Sequence, residues 1–134
     1  MAVVRHETRP IQSSEDVVSV RGVVREWAIA LGFSLVDQTK IITAASELAR
    51  NALIYGKGGT VRLEALNDGA RRGLRLVFED NGPGIPDLEQ ALRDGFTTGG
   101  GLGLGLGGAR RLVNNFEIES KLGAGTRVAI TRWK

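Results

Sequence analysis

The sequence contains no cysteine, which removes disulfides and thiolate metal sites from consideration. It also lacks any apolar run near the roughly 18 residues that a membrane-crossing helix needs. The N-terminus, Met1-Ala2-Val3-Val4-Arg5-His6, has no apolar stretch of the signal-peptide kind, so a cytoplasmic protein without a membrane partner is expected. Aromatic residues make up only 5% of the chain, and its basic residues are scattered in pairs such as Arg71-Arg72 and Arg110-Arg111. With a net charge of +3 and no basic cluster interleaved with aromatics, a nucleic-acid groove is not expected. The single histidine, His6, falls in a strand-like stretch, where a surface or packing role is the ordinary one.

What is present fits one globular domain spanning residues 1–134, 42% hydrophobic and 25% charged. Val3 to Arg9 reads as a short edge strand before Pro10. Ser13 or Ser14 caps a helix with Val17, Val20, Val24, Trp27 and Leu31 on its apolar side, ending at Gly32. Arg21 and Arg25 share its polar side, one turn apart. Ser34 with Asp37 resembles a capping box, and a second helix follows on Ile41, Ala45, Leu48, Ala52 and Tyr55 up to Gly56. Two strands come next, one alternating Val61, Leu63 and Ala65 with exposed Arg62 and Glu64, the other alternating Leu74, Leu76 and Phe78 with Arg75 and Glu79. A short helix is expected after Pro86. Ala109, Leu112, Val113 and Phe116 continue at helical spacing, and a hairpin of Phe116 to Lys121 and Thr126 to Trp133, joined by Leu122-Gly123-Ala124-Gly125, closes the chain.

Four stretches carry the chemistry. Asp80-Asn81-Gly82-Pro83-Gly84-Ile85 stands at the end of a strand, where a carboxylate can accept a hydrogen bond from an exocyclic amine such as adenine N6, while the glycines allow a flat ring to approach. Read alone, the same hexapeptide is equally an Asp/Asn/Gly/Pro turn. Glu47 and Asn51 project from one side of the second helix and can bring a carboxylate and an amide oxygen to one metal–phosphate centre, although such a pair is also common on exposed helices. The glycine- and leucine-rich run Thr97 to Gly108 feeds a helix start, where free backbone N–H groups favour phosphate. Gly103, Gly105 and Gly108 match a dinucleotide fingerprint only formally, because no strand leads directly into them and no acidic residue follows about twenty positions later at a strand end; a Walker A lysine-serine/threonine ending is also missing. Thr126 opens the last strand, within reach of a ring nitrogen or water beside Asp80.

Taken in order, Glu47-x-x-x-Asn51, Asp80-x-Gly82-x-Gly84, the Gly99–Gly108 run and Gly123-x-Gly125-Thr126 resemble the N, G1, G2 and G3 boxes of the GHKL (Bergerat-fold) ATPase and kinase superfamily. Within it, Ser46 to Asn51, Glu79 to Asp87 and Asp94 to Gly100 resemble the serine/threonine switch kinases of bacterial stressosomes, the RsbT type. The resemblance implies a two-layer α/β sandwich in which a mixed sheet backs three main helices and ATP lies between helices and lid. It also implies Glu47 as general base and Asn51 as the Mg2+ ligand. Asp80 becomes the adenine anchor, with Gly82, Gly84, Ile85 and Thr126 around the ring and Gly101, Gly103, Leu104 and Gly105 over the phosphates. No lysine or arginine lies between Phe96 and Gly108, so Lys57 or a partner would have to supply any basic charge. The implied partners are STAS-domain scaffold and antagonist proteins as substrates and a downstream phosphatase or other output enzyme. Two alternatives are an anti-sigma kinase that holds a sigma factor and a nucleotide-gated binding module that transfers no phosphate.

Overall fold

The computed structural model describes residues 1–92 and 106–134. In chain order it has β1 (Ala2–Ile11), α1 (Ser14–Ala30), α2 (Leu35–Ile54), β2 (Gly59–Asn67), β3 (Arg72–Asp80), α3 (Leu88–Ala91), α4 (Leu106–Arg111), β4 (Asn115–Lys121) and β5 (Gly125–Trp133). The two long helices start where the sequence signals them. Ser13 Oγ accepts from Asp16 N at 3.2 Å and Ser34 Oγ from Asp37 N at 3.1 Å, each satisfying a backbone donor that the first turn leaves free. Gly32, at φ 83, then lets the chain leave α1 in the left-handed region.

The strands form a two-layer α/β arrangement with the helices, in the order β1-β2-β3-β5-β4. Every ladder is antiparallel, so the sheet is not the mixed one that the resemblance implied. The reason lies in the connections. β2–β3 and β4–β5 are hairpins, and the segment after β3 returns β5 beside it in the opposite direction. β1 is an edge strand as expected but runs ten residues, because an edge tolerates Pro10 within it.

One sheet face carries Val61, Leu63, Leu74, Leu76, Phe78, Val128 and Ile130, all buried against Val20, Val24, Trp27, Ile41, Ala45 and Leu48 of α1 and α2. Full burial of each such Val, Leu or Ile contributes about 1.5–3 kcal/mol. The Arg5 guanidinium lies 4.0 Å from the Trp27 ring centroid and fastens β1 to α1.

One local expectation is corrected. Glu64 is buried, at 6% exposure, because Arg62 of its own strand and Arg75 directly opposite on β3 both reach its carboxylate, at 3.1 and 2.5 Å. Burial acts to raise its pKa, but the hydrogen bonds from Arg75 and Arg62 outweigh it and hold the carboxyl below its ordinary range. Phe116 lies in β4, as the expected hairpin strand from Phe116 to Lys121 has it: α4 stops at Arg111, and Phe116 pairs with Ile130.

Candidate functional site

Asp80 ends β3 with a ladder on each side, opposite Gly59 of β2 and Thr126 of β5, so its backbone position is fixed from both directions. Its Oδ1 accepts from Gly82 N at 2.9 Å. Oδ2 has no protein partner among the described residues, which leaves an acceptor for a ligand. Three residues stack tightly here. A Cβ on Gly56 would stand 2.3 Å from Asp80 Cγ, and one on Gly82 would stand 2.6 Å from Gly56 Cα. Only glycine allows the end of α2, the Asp80 carboxylate and the following turn to pack at that distance.

The β4–β5 hairpin clamps the turn from the other side. Gly123 N donates to Pro83 O at 2.9 Å and Ile85 N to Ser120 Oγ at 2.7 Å, while Ser120 Oγ lies 2.9 Å from Thr126 Oγ1. Gly84, at φ 81, passes so close to Lys121 O that a Cβ would sit at 2.5 Å. The Asp80–Ile85 loop is thus held by backbone and hydroxyl contacts before any ligand arrives, a preorganised arrangement.

Between α2 and this loop lies a cleft with Asn51, Asp80, Gly84, Ile85 and Thr126 on its walls. Tyr55, Gly56, Phe78, Leu106 and Val128 supply most of the remaining surface, which is largely apolar, as a purine ring requires. The structure therefore brings five of the sequence-derived residues together. Gly82 packs beneath Gly56 and does not line the cleft. Lys57, at φ 60, does not line it either. Gly101, Gly103, Leu104 and Gly105 lie outside the described residues.

Glu47 points elsewhere. It lines a separate groove between α1 and α2, together with Val18, Arg21, Gly22, Arg25, Ser46 and Arg50, and Arg50 Nη1 donates to its Oε1 at 3.1 Å. Asn51, one turn on, lines the cleft, so α2 is the wall between two cavities and this pair straddles it. The Asn51 amide oxygen is a hard donor suited to Mg2+. Among the described residues no three His, Cys, Asp or Glu side chains converge, so a cation here would complete its shell from phosphate and water, the usual pattern for Mg2+ at nucleotides.

A profile of the histidine kinase-, DNA gyrase B-, and HSP90-like ATPase family matches residues 36–134, which include both α2 and every strand of the cleft. The chain belongs to that family. It is 44% identical to the serine/threonine-protein kinase RsbT of Bacillus subtilis over 123 residues, 92% of each chain. It is 30% identical to the anti-sigma F factor of Clostridium kluyveri over 91% of this chain and 89% of that one. The fold of this ATPase-family member also matches the RsbU and RsbW domains of a Mycobacterium tuberculosis protein, with a TM-score of 0.63 at 24% identity, although it spans 32% of that longer chain. The catalytic domain of the histidine kinase ThkA gives a TM-score of 0.58 at 20% identity over 98% of this chain and 99% of that one. Family and kinase relative together place the chain among the GHKL-type serine/threonine kinases, which use ATP.

Sequence reading missed Gly56, taken only as a helix stop, and Ser120, one polar residue on the inner side of β4. Gly56 follows the last turn of α2 and precedes a residue with positive φ, a local signal for close approach. Ser120 gave none, since its partners lie 35 residues back and six forward.

Proposed function

We propose that residues 1–134 form a single kinase domain that transfers the γ-phosphoryl group of ATP to a serine or threonine of STAS-domain stressosome proteins. Released from them, it binds and activates a downstream phosphatase or other output enzyme in the cytoplasm. The observation that carries this reading is the position of Glu47. A group that served only the nucleotide would face the cleft, whereas Glu47 faces a groove open to another protein, one helical turn from a residue that faces the nucleotide. No helix among the described residues is long and apolar enough to cross a membrane, in keeping with a cytoplasmic site of action.

In this mechanism the purine enters between Tyr55 and the Gly84–Ile85 turn, with its exocyclic amine donating to Asp80 Oδ2. The Thr126 hydroxyl, oriented by Ser120, borders the ring edge. Asn51 would hold a Mg2+ ion through its amide oxygen, and that ion would supply neutralising charge to the phosphates. The acceptor hydroxyl approaches from the groove and its oxygen attacks the γ-phosphorus. As the bond to the β–γ bridging oxygen breaks, ADP departs with the electron pair, and the hydroxyl proton passes to the Glu47 carboxylate. Such a base contributes about 10²- to 10⁴-fold in rate. Most of the remainder comes from positioning and charge neutralisation.

The test is phosphate transfer from labelled ATP to a purified STAS-domain acceptor. Glu47→Ala should leave ATP affinity nearly unchanged and cut transfer at least tenfold. Transfer at the native rate would remove Glu47 from the role. A second reading, an anti-sigma kinase, is supported by the 30% identity to the Clostridium kluyveri factor. Nucleotide-dependent capture of a purified sigma factor, with no transfer to STAS proteins, would favour it.

A further inference from the structure

Three arginines and one glutamate line the α1–α2 groove, and the glutamate is already engaged: Arg50 Nη1 sits 3.1 Å from Glu47 Oε1. Among the described residues only that nitrogen of Arg50 makes a hydrogen bond or ion pair. Its Nε and Nη2 have no partner among the described residues, and its side chain is 49% exposed. A guanidinium presents two edges that can each meet a carboxylate, and here one edge stays unused, directed away from the pair that Nη1 makes. Glu47, at 36% exposure, is equally within solvent reach, so this is an exposed ion pair of the kind that holds weakly and exchanges readily. The groove floor opposite is open as well, since a Cβ on Gly22 would meet nothing within 4 Å.

We propose that Arg50 determines which acceptors the kinase uses, and that it does so by exchanging carboxylates. An acidic side chain of the acceptor protein, next to the hydroxyl that is to be phosphorylated, takes the free edge of Arg50 and draws the guanidinium off Glu47. The released carboxylate then accepts the hydroxyl proton as the oxygen–phosphorus bond forms and ADP leaves. Until such an acceptor docks, the pair engages Oε1 and keeps the carboxylate turned towards Arg50, which restrains transfer to water. The inference rests on the reading of Glu47 as the base, and it adds the chemistry that the acceptor must carry.

The groove's charge agrees with it. Arg21, Arg25 and Arg50 against Glu47 leave an excess of two positive charges facing an incoming partner. Because Arg50 is on the same helical stretch as Glu47, three residues on, a carboxylate bound to it lies within one turn of the base. The same acidic group therefore orients the hydroxyl and frees the base, a coupling that arginines further out on α1 cannot provide.

The experiment pairs Arg50→Gln with acceptor variants. In the absence of any acceptor, Arg50→Gln should raise slow ATP hydrolysis by up to about fivefold, the factor that corresponds to an exposed ion pair of about 1 kcal/mol. Towards a STAS-domain acceptor it should raise KM. Exchanging Asp and Glu beside the acceptor hydroxyl for Asn and Gln should impair the native kinase severalfold and the Arg50→Gln enzyme much less, so that the two changes are strongly non-additive. Additive effects, or acceptor-free hydrolysis that is unchanged or lower, would overturn the proposal. Glu47→Gln run alongside separates the two levels: if it leaves transfer intact, the base assignment itself fails, whereas if it abolishes transfer while Arg50→Gln has no effect, only the exchange fails.

Discussion

Substituting alanine for Gly56 tests the nucleotide cleft at the point where packing is tightest. The added Cβ would lie 2.3 Å from Asp80 Cγ, 2.5 Å from its Cβ and 2.6 Å from Oδ2, against ordinary carbon contacts of about 3.5–4.0 Å. More than 1 Å must therefore be recovered. The backbone of Asp80 cannot retreat, being paired to Gly59 and Thr126, with Gly125 packed so closely on its carbonyl that a Cβ there would stand 2.0 Å away. The end of α2 is pinned too, by Tyr55 N and Gly56 N on Asn51 O and by Gly58 N on Ala52 O. The carboxylate must rotate instead, which breaks its 2.9 Å bond from Gly82 N and misaligns Oδ2 with the purine amine. Losing one hydrogen bond to a charged group is worth about 1.5–3 kcal/mol, so ADP affinity should fall roughly 10- to 150-fold. Overpacking of this kind also costs about 1–3 kcal/mol of stability, so calorimetry with ADP is to be paired with circular dichroism to confirm that the variant is folded. Gly22→Ala, which meets nothing within 4 Å, is the control and should bind ADP as the native chain does. A folded Gly56→Ala protein with ADP affinity within about threefold of native would refute the idea that a fixed Asp80 carboxylate reads the base.

Asp80→Asn should abolish ADP binding with the fold intact, since the amide can turn a donor towards the purine amine; calorimetric binding within about threefold, roughly 0.7 kcal/mol, would count against the assignment. Arg21→Ala combined with Arg25→Ala should weaken binding of a STAS partner between severalfold and thirtyfold, given about 0.2–1 kcal/mol per exposed pair, and native affinity at low salt would return both arginines to an ordinary solvated face. Acid should destabilise the protein through Glu64 and Asp37, which lie below their ordinary values of 4.5 and 3.8, Glu64 through Arg75 and Arg62 against the effect of its burial and Asp37 chiefly through Arg132. A lowered folded-state pKa gives stability that is present above the unfolded value and lost as pH falls through the folded one. Glu64→Gln should therefore cost more in urea denaturation at neutral pH than at pH near 3, and equal losses at both would contradict the buried ion-pair reading.

The helices were legible because their information is local. Ser13 and Ser34 cap where expected, and the 3.6-residue stripes fall on residues the core buries, Val20, Val24, Ile41 and Leu48. The placement of Asp80 at a strand end was equally local, following from alternation in Leu74, Leu76 and Phe78. What depended on which strands become neighbours was not legible. Glu64 alternates as a surface residue, and only the register that sets Arg75 opposite it makes its burial tolerable. Ser120 meets Thr126 within the β4–β5 hairpin, but it meets Ile85 only once β5 is paired beside β3. Likewise Gly56 looks like any helix terminator until Asp80 is packed against it.

The pair that matters most for function shows where such reading stops. Four residues of spacing place Glu47 and Asn51 on the same side of α2, offset by about 40° around the axis. Periodicity alone treats them as neighbours facing one centre. Where the boundary between two cavities falls depends on α1, whose Val20, Val24 and Trp27 sink into the core and so bring Val18, Arg21 and Arg25 to the rim beside Glu47. That packing separates the cleft wall from the groove wall within a single helical turn. In the proposed mechanism a phosphoryl group passes between the two over a separation one turn wide, and that width sets the reach over which an acceptor hydroxyl, its base and the γ-phosphate must meet.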